Sequence, residues 1–127
     1  MIRFMGSGPD GLRRGQTVTL RHATMRRNLI SILTHGLLTG KALGRLKGVW
    51  FHSAGRSERA ALHTVARHGG RVEDVVVIEA RVPRAWLKRH GGNVRGVWRS
   101  VRDIPVRYFV RVIDFDQLAA SPASGAA

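Results

Sequence analysis

The patterning of apolar and polar residues predicts an α+β domain: two small mixed or antiparallel sheets packed around a cleft, with two to three helices. Three observations carry this. The run at 75–80 (VVVIEA) is apolar apart from Glu79, the pattern of a strand buried on both faces. A second buried run lies at 108–115 (YFVRVIDF). Between strand-like segments, residues 58–68 (ERAALHTVARH) place Ala60, Ala61, Leu62, Val65 and Ala66 inward at helical spacing, and Gly69-Gly70 stops the helix.

Taken in order, residues 1–16 carry Gly6, Gly8, Pro9, Gly11 and Gly15 among Arg3, Arg13 and Arg14, and read as a flexible basic arm before a single domain at 17–118. In 17–20 Val18 and Leu20 alternate with Thr17 and Thr19, a half-buried strand that ends at the polar corner Arg21-His22-Ala23-Thr24. Thr24 is placed to cap a helix whose Met25, Leu29, Ile30, Ile32 and Leu33 share a side, and Gly36 closes it. Residues 39–47 (TGKALGRLK) form a basic loop beside this helix, without the spacing of a Walker phosphate loop.

A strand follows at 48–53, with Val49 and Phe51 on one face and Trp50 and His52 on the other; Trp50 belongs either to a pocket or to the core. The clearest strand is 73–82. Its Glu79 calls for an arginine partner in preference to a place in a functional cleft. Pro83 opens a short helix at 84–89, and His90-Gly91-Gly92-Asn93 is a turn. The remainder is a strand at 94–101 with Arg95, Arg99 and Arg102 on a basic edge, the turn Asp103-Ile104-Pro105 and the strand at 108–115. Residues 119–127 are a disordered tail of small residues.

Composition limits what the chain can do. At 127 residues without cysteine, it has room for one core and no thiol chemistry or disulfide framework. The apolar runs fall short of the roughly 20 residues of a membrane span, so a cytoplasmic protein is the default expectation. The six histidines show no metal-ligand spacing. Lys and Arg number 22 against 8 Asp and Glu, a formal charge of +14 dominated by guanidinium groups. Such a surface suits a polyanion, RNA or DNA, although an arginine-favouring codon bias gives the same excess.

An apolar strand ending in His22-Ala23-Thr24, followed by a helix closing on Gly36-Leu37-Leu38, resembles the opening of the ADP-ribosyltransferase fold, whose members bind NAD through His-Gly-Thr or His-Gly-Ser. Gly48-Val49-Trp50-Phe51-His52-Ser53, then Ser57 with Ala60 and Ala61, is similar to that family's second element. Gly96-Val97-Trp98 and Asp103-Ile104-Pro105 are similar to the late strand and Ile-Pro turn of its RNA 2'-phosphotransferase and DNA-modifying branches. The resemblance covers residues 17 to 115. It implies an NAD-dependent ADP-ribosyltransferase acting on nucleic acid or its phosphate, with NAD as co-substrate and no metal.

Carried over by motif, His22 bonds a ribose of NAD, Ala23 offers backbone groups to the nicotinamide amide, Thr24 supports them, and Trp50 and Ser57 complete the NAD-binding set. His22, Arg21 and Arg99 are the implied catalytic residues. Arg26, Arg27, Lys41, Arg45, Arg95, Arg99 and Arg102 are the candidates for nucleic acid. One feature departs from the family: no Glu occurs after Glu79, where most transferases of this fold place one on a late strand. That leaves a phosphotransferase-like enzyme whose nucleophile is already an anionic phosphate, a divergent transferase, or an inactive binder. Two readings need no NAD: a small basic toxin-type ribonuclease and a plain nucleic-acid-binding module.

Overall fold

The computed structural model describes residues 2–3, 12–13, 15–42, 46–89 and 95–120. Seven strands are described: β1 (Ile2–Arg3), β2 (Thr17–Met25), β3 (Val49–His52), β4 (Val75–Pro83), β5 (Leu87–Arg89), β6 (Val97–Ser100) and β7 (Phe109–Asp114). Three helices join them: α1 (Leu29–His35), α2 (Ser57–His68) and α3 (Phe115–Ala120). The class is α+β. The strands pair antiparallel in the order β1-β7-β4-β2-β3-β6-β5.

Where the sequence suggested two packed sheets, these strands form one. Within it, β2 and β3 meet through the single pair Arg21↔His52, whereas β2 and β4 match along nine residues from Thr17↔Pro83 to Met25↔Val75. The sheet is therefore two well-laddered halves joined at one point.

β4 is central because it is apolar on both faces. Val76, Ile78, Ala80 and Val82 pack with Leu20, Val49, Phe51, Ile104, Phe109 and Val112, and Leu29, Ile32 and Leu33 of α1 cover this cluster. Val75 packs with Met25 and Ala61 of α2, and Val77 with Ile113 and Leu118 of α3. Val75, Val76, Val77 and Ile78 are fully buried. Glu79 falls on the α2 side and accepts from Arg21 Nε at 3.0 Å and Arg111 Nε at 3.1 Å, its cross-strand neighbours on β2 and β7. The ion pair expected for Glu79 is present, and its partners come from flanking strands.

Several local expectations change. The polar corner at 21–24 is the second half of β2, since partners on β4 keep residues 21–25 extended despite their polarity. Thr24 makes no capping bond; its Oγ1 accepts from Asn28 Nδ2 at 3.3 Å, and a 3-10 turn at Arg26–Asn28 precedes α1. The expected helix at 84–89 is a 3-10 turn, Arg84–Trp86, leading into β5, which pairs with β6. β6 is thereby internal, and Arg95, Arg99 and Arg102 do not form a sheet edge.

Leu62 and Ala66 of α2 face out, with Leu62 60 % exposed. Residues 119–120, assigned to the tail, belong to α3, whose Leu118 is buried. Within the expected arm, Ile2–Arg3 pairs with β7. The rest of that arm apart from 12–13 and 15–16, together with Arg45, the turn at 90–93 and residues 121–127, lies outside the described residues.

Candidate functional site

Beyond the Arg21↔His52 pair, β2 and β3 separate and leave a cleft of about 860 Å³. Its volume suits a cofactor-sized molecule, for which roughly 300 to 1,000 Å³ is usual. The residues of β2 past the split, His22, Ala23 and Thr24, line one side and Val49, Trp50, Phe51 and His52 of β3 the other. Ser31 and Ile32 of α1 and the 36–42 segment close one flank, and Arg56 with one face of α2 the opposite flank.

Gly36 shapes the α1 flank. Its φ is +84°, its N–H donates to the Ile32 carbonyl at 2.7 Å, and an added Cβ would run into the Ile104 carbonyl. The Ile-Pro turn holds the next residues in place. Leu37 and Ile104 exchange backbone bonds of 3.0 and 2.8 Å, and Asp103 Oδ1 accepts from the Thr39 N–H at 2.7 Å.

His22 is fixed across the split. Its Nδ1 lies 2.6 Å from the Trp50 carbonyl oxygen, which can only accept, so Nδ1 carries the hydrogen and donates. Burial, first, and nearby His68 push the imidazole pKa below its ordinary value while the Trp50 bond pulls the other way, and the ring is neutral at pH 7. Nε2 is consequently an acceptor, on a ring that lines the cleft and also meets Phe51 edge-on at 5.9 Å between centroids. Trp50 is half-buried, lines the cleft and lies outside the apolar clusters.

His52, only 5 % exposed, is a second neutral imidazole. Burial pushes its pKa down to about 3, with smaller contributions from His22, Arg21 and Arg56, and its buried Nε2 has no partner among the described residues.

The electrostatics are one-sided. Arg27, Lys41, Arg56, Arg59 and Arg67 line the cleft, and among the described residues no Asp or Glu does. Arg27 spans from the β2–α1 connection to α2, its Nη2 donating to the His68 carbonyl at 3.5 Å. A cleft with this balance favours a ligand carrying phosphate or another anion.

Of the residues singled out by sequence, His22, Ala23, Thr24, Trp50, Arg27 and Lys41 come together here. Arg21 does not, because strand alternation turns it from His22 toward α2, where Nη1 donates to Ser57 Oγ at 3.1 Å. Ser57 is buried and its hydroxyl, besides accepting from Arg21, donates to the Ala54 carbonyl at 2.9 Å; it fixes the start of α2 and does not line the cleft. Arg99 lies outside the lining, with Nη1 donating to the Lys47 carbonyl at 2.6 Å. Arg26 pairs with Asp114 at 2.9 Å, Arg102 sits over the Trp86 ring, and Arg95 is exposed away from the cleft.

Arg56, Arg59 and Arg67 are lining cations that the sequence reading did not single out, and His63 was weighed there only as a metal ligand. Their spacing of three, four and four is a helical stripe and was legible, but that side of α2 reads as a solvated face unless a second wall is known to stand opposite. Among the described residues, no group of three His, Cys, Asp or Glu could hold a metal ion, and no helix is long and apolar enough to cross a membrane. No protein-family model matches the chain, and no curated protein matches it.

Proposed function

We propose that the protein is an NAD-dependent ADP-ribosyltransferase of nucleic acid or its phosphate, closest in chemistry to RNA 2'-phosphotransfer. The observation that carries this reading is His22, anchored by the Trp50 carbonyl and kept neutral by burial, where β2 and β3 part, in a cleft lined by cations and, among the described residues, by no carboxylate.

NAD supplies a ribose carbon whose bond to nicotinamide nitrogen breaks, with the electron pair leaving on nicotinamide, while an oxygen of the RNA 2'-phosphate forms the new bond to that carbon; the neighbouring ribose hydroxyl then attacks phosphorus and the RNA 2'-oxygen leaves, taking up the hydroxyl's proton, which frees the RNA of its phosphate. His22 Nε2 accepts from a ribose hydroxyl and so fixes the sugar. The edge of β2 at Ala23 and Thr24, which faces the cleft where β3 has diverged, offers backbone groups to the carboxamide. Trp50 provides an aromatic face for the nicotinamide ring. Positioning and charge supply most of the effect.

The missing late-strand Glu fits a phosphate acceptor. A hydroxyl attacking the ribose carbon needs a base, and among the described residues no carboxylate lines the cleft. A phosphate oxygen is already anionic and needs only cations to hold it, and Arg27, Lys41, Arg56, Arg59 and Arg67 line the cleft.

The ribonuclease alternative is the weaker one on the same geometry. Acid–base cleavage of RNA by paired histidines requires one imidazolium as acid, and burial lowers the pKa of His22 and brings that of His52 down to about 3, which disfavours this pair for that role. The experiment is incubation with NAD and a short RNA bearing an internal 2'-phosphate. Nicotinamide release with loss of the 2'-phosphate supports the reading; RNA cleavage without NAD, or no reaction at all, refutes it.

A further inference from the structure

We propose that the α2 bank of the cleft is a track for the backbone of a single-stranded polynucleotide, with Arg59 and Arg67 as its principal phosphate contacts. The proposal builds on the function above and names where the acceptor strand lies.

Arg59, His63 and Arg67 recur every four residues along α2, and all line the cleft. From Arg59 to Arg67 the helix rises about 12 Å. A strand's phosphates are ~3.4 Å apart along a stacked helix and farther apart when extended, so this row meets more than one phosphate of the same strand. Lys41 stands on the opposite flank, Arg27 reaches across to the C-terminal end of α2, and Arg56 stands at the start of that helix. The only acidic residue of α2, Glu58, is exposed and does not line the cleft.

Two features select a single strand. Arg59 and Arg67 are exposed along the mouth of a cleft bounded by α1 and α2, so a single strand whose phosphates lie on them can turn its bases into the cleft, whereas a paired duplex keeps its bases stacked and away from it. The rest of the lining is partly apolar, with Ile32, Leu37 and Phe51, and suits an unstacked base or sugar better than a continuous phosphate surface.

The test is fluorescence anisotropy with a labelled U12 RNA, single-stranded or paired with A12, on three proteins. These are the unaltered chain, Arg59→Gln/Arg67→Gln, and Lys88→Gln/Arg89→Gln, the last pair being exposed on β5 away from the cleft. Both variants remove two positive charges. At 0.1 M salt the α2 variant is expected to bind single-stranded U12 about 25-fold more weakly, and its salt slope to fall by about 1.4, from roughly 0.7 per phosphate contact on a single strand. The β5 variant is expected to stay within a few-fold of the unaltered chain.

Equal losses in the two variants overturn the proposal by showing undirected charge attraction. Duplex binding as tight as single-strand binding overturns it too, as does no binding by the unaltered chain. Nicotinamide release from NAD without RNA, measured on the same samples, reports separately on the NAD chemistry, so failure of the track and failure of the enzymatic reading give different patterns.

Discussion

The Nδ1–H of His22 donates across 2.6 Å to the backbone carbonyl of Trp50, and this bond bridges the two half-sheets just where their strands stop pairing. It orients the imidazole through the backbone of the strand that carries the aromatic wall. His22 and Trp50 therefore form one unit: a shift of β3 relative to β2 would misplace the acceptor and the ring together.

Replacing Trp50 with Phe tests the aromatic half of that unit. The carbonyl that holds His22 is untouched, and Trp50 is half-buried outside the apolar clusters, so the melting temperature should change by no more than a few degrees. Affinity for NAD, followed by titration calorimetry, should fall severalfold with the smaller ring. A loss of 1 kcal/mol or more in stability with unchanged NAD affinity would return Trp50 to the core.

The Arg21–Glu79–Arg111 row is structural. Glu79 has only about 12 % of its side chain exposed, and replacing it with Gln leaves Arg21, 9 % exposed, buried without its counter-charge. Breaking a buried pair in this way costs roughly 3 to 5 kcal/mol. Urea unfolding of Glu79→Gln should show a loss of that order. A change below 1 kcal/mol would mean that the row contributes nothing net.

Much of this architecture was legible in the sequence, for identifiable reasons. β4, β7 and α2 announce themselves because their periodicity is set by burial within the element. Gly36 was readable as a terminator because a positive φ leaves few other residues. The second half of β2 was not, because Arg21 looks like the start of a loop until Glu79, 58 residues away, becomes its neighbour. The same contact explains Arg21's absence from the cleft. α3 escaped notice because residues 115–120 carry little helical patterning, and Leu118 gains its role only from Val77 and Ile113 beneath it.

The Gly36 turn should tolerate no side chain. Gly36→Ala places a Cβ against the Ile104 carbonyl at a φ of +84°, so both contact and backbone are strained. The expected loss is about 2 kcal/mol or more in thermal or urea unfolding, with weaker NAD binding as the 36–42 flank shifts. Wild-type stability in this variant would show that the turn is free to move.

Acid should destabilise the protein earlier than its carboxylates alone require. A histidine in the unfolded chain takes up a proton near pH 6.5, whereas His52 remains neutral down to about pH 3, and His22 is lowered too. Between those values the unfolded chain binds more protons, so stability is complete above about pH 6.5 and falls as pH drops. The slope is up to ~1.4 kcal/mol per pH unit for each such histidine. Urea midpoints between pH 6.5 and 5, above the usual carboxylate range, isolate this effect. The slope should flatten in His52→Gln; equal slopes in the two proteins would contradict the neutral buried imidazole.

The central claim is that His22 positions NAD for transfer, and the most direct measurement compares nicotinamide release and 2'-phosphate removal by the unaltered protein and by His22→Ala, each with a melting curve. The substitution removes one bond to Trp50 and the edge contact with Phe51, so a stability loss of about 1 to 2 kcal/mol is expected and the fold should persist. Loss of a ribose bond worth roughly 1 to 3 kcal/mol in the transition state should lower turnover by about ten- to a hundredfold or more. Equal turnover by the two folded proteins, or no turnover by the unaltered one, would contradict the account.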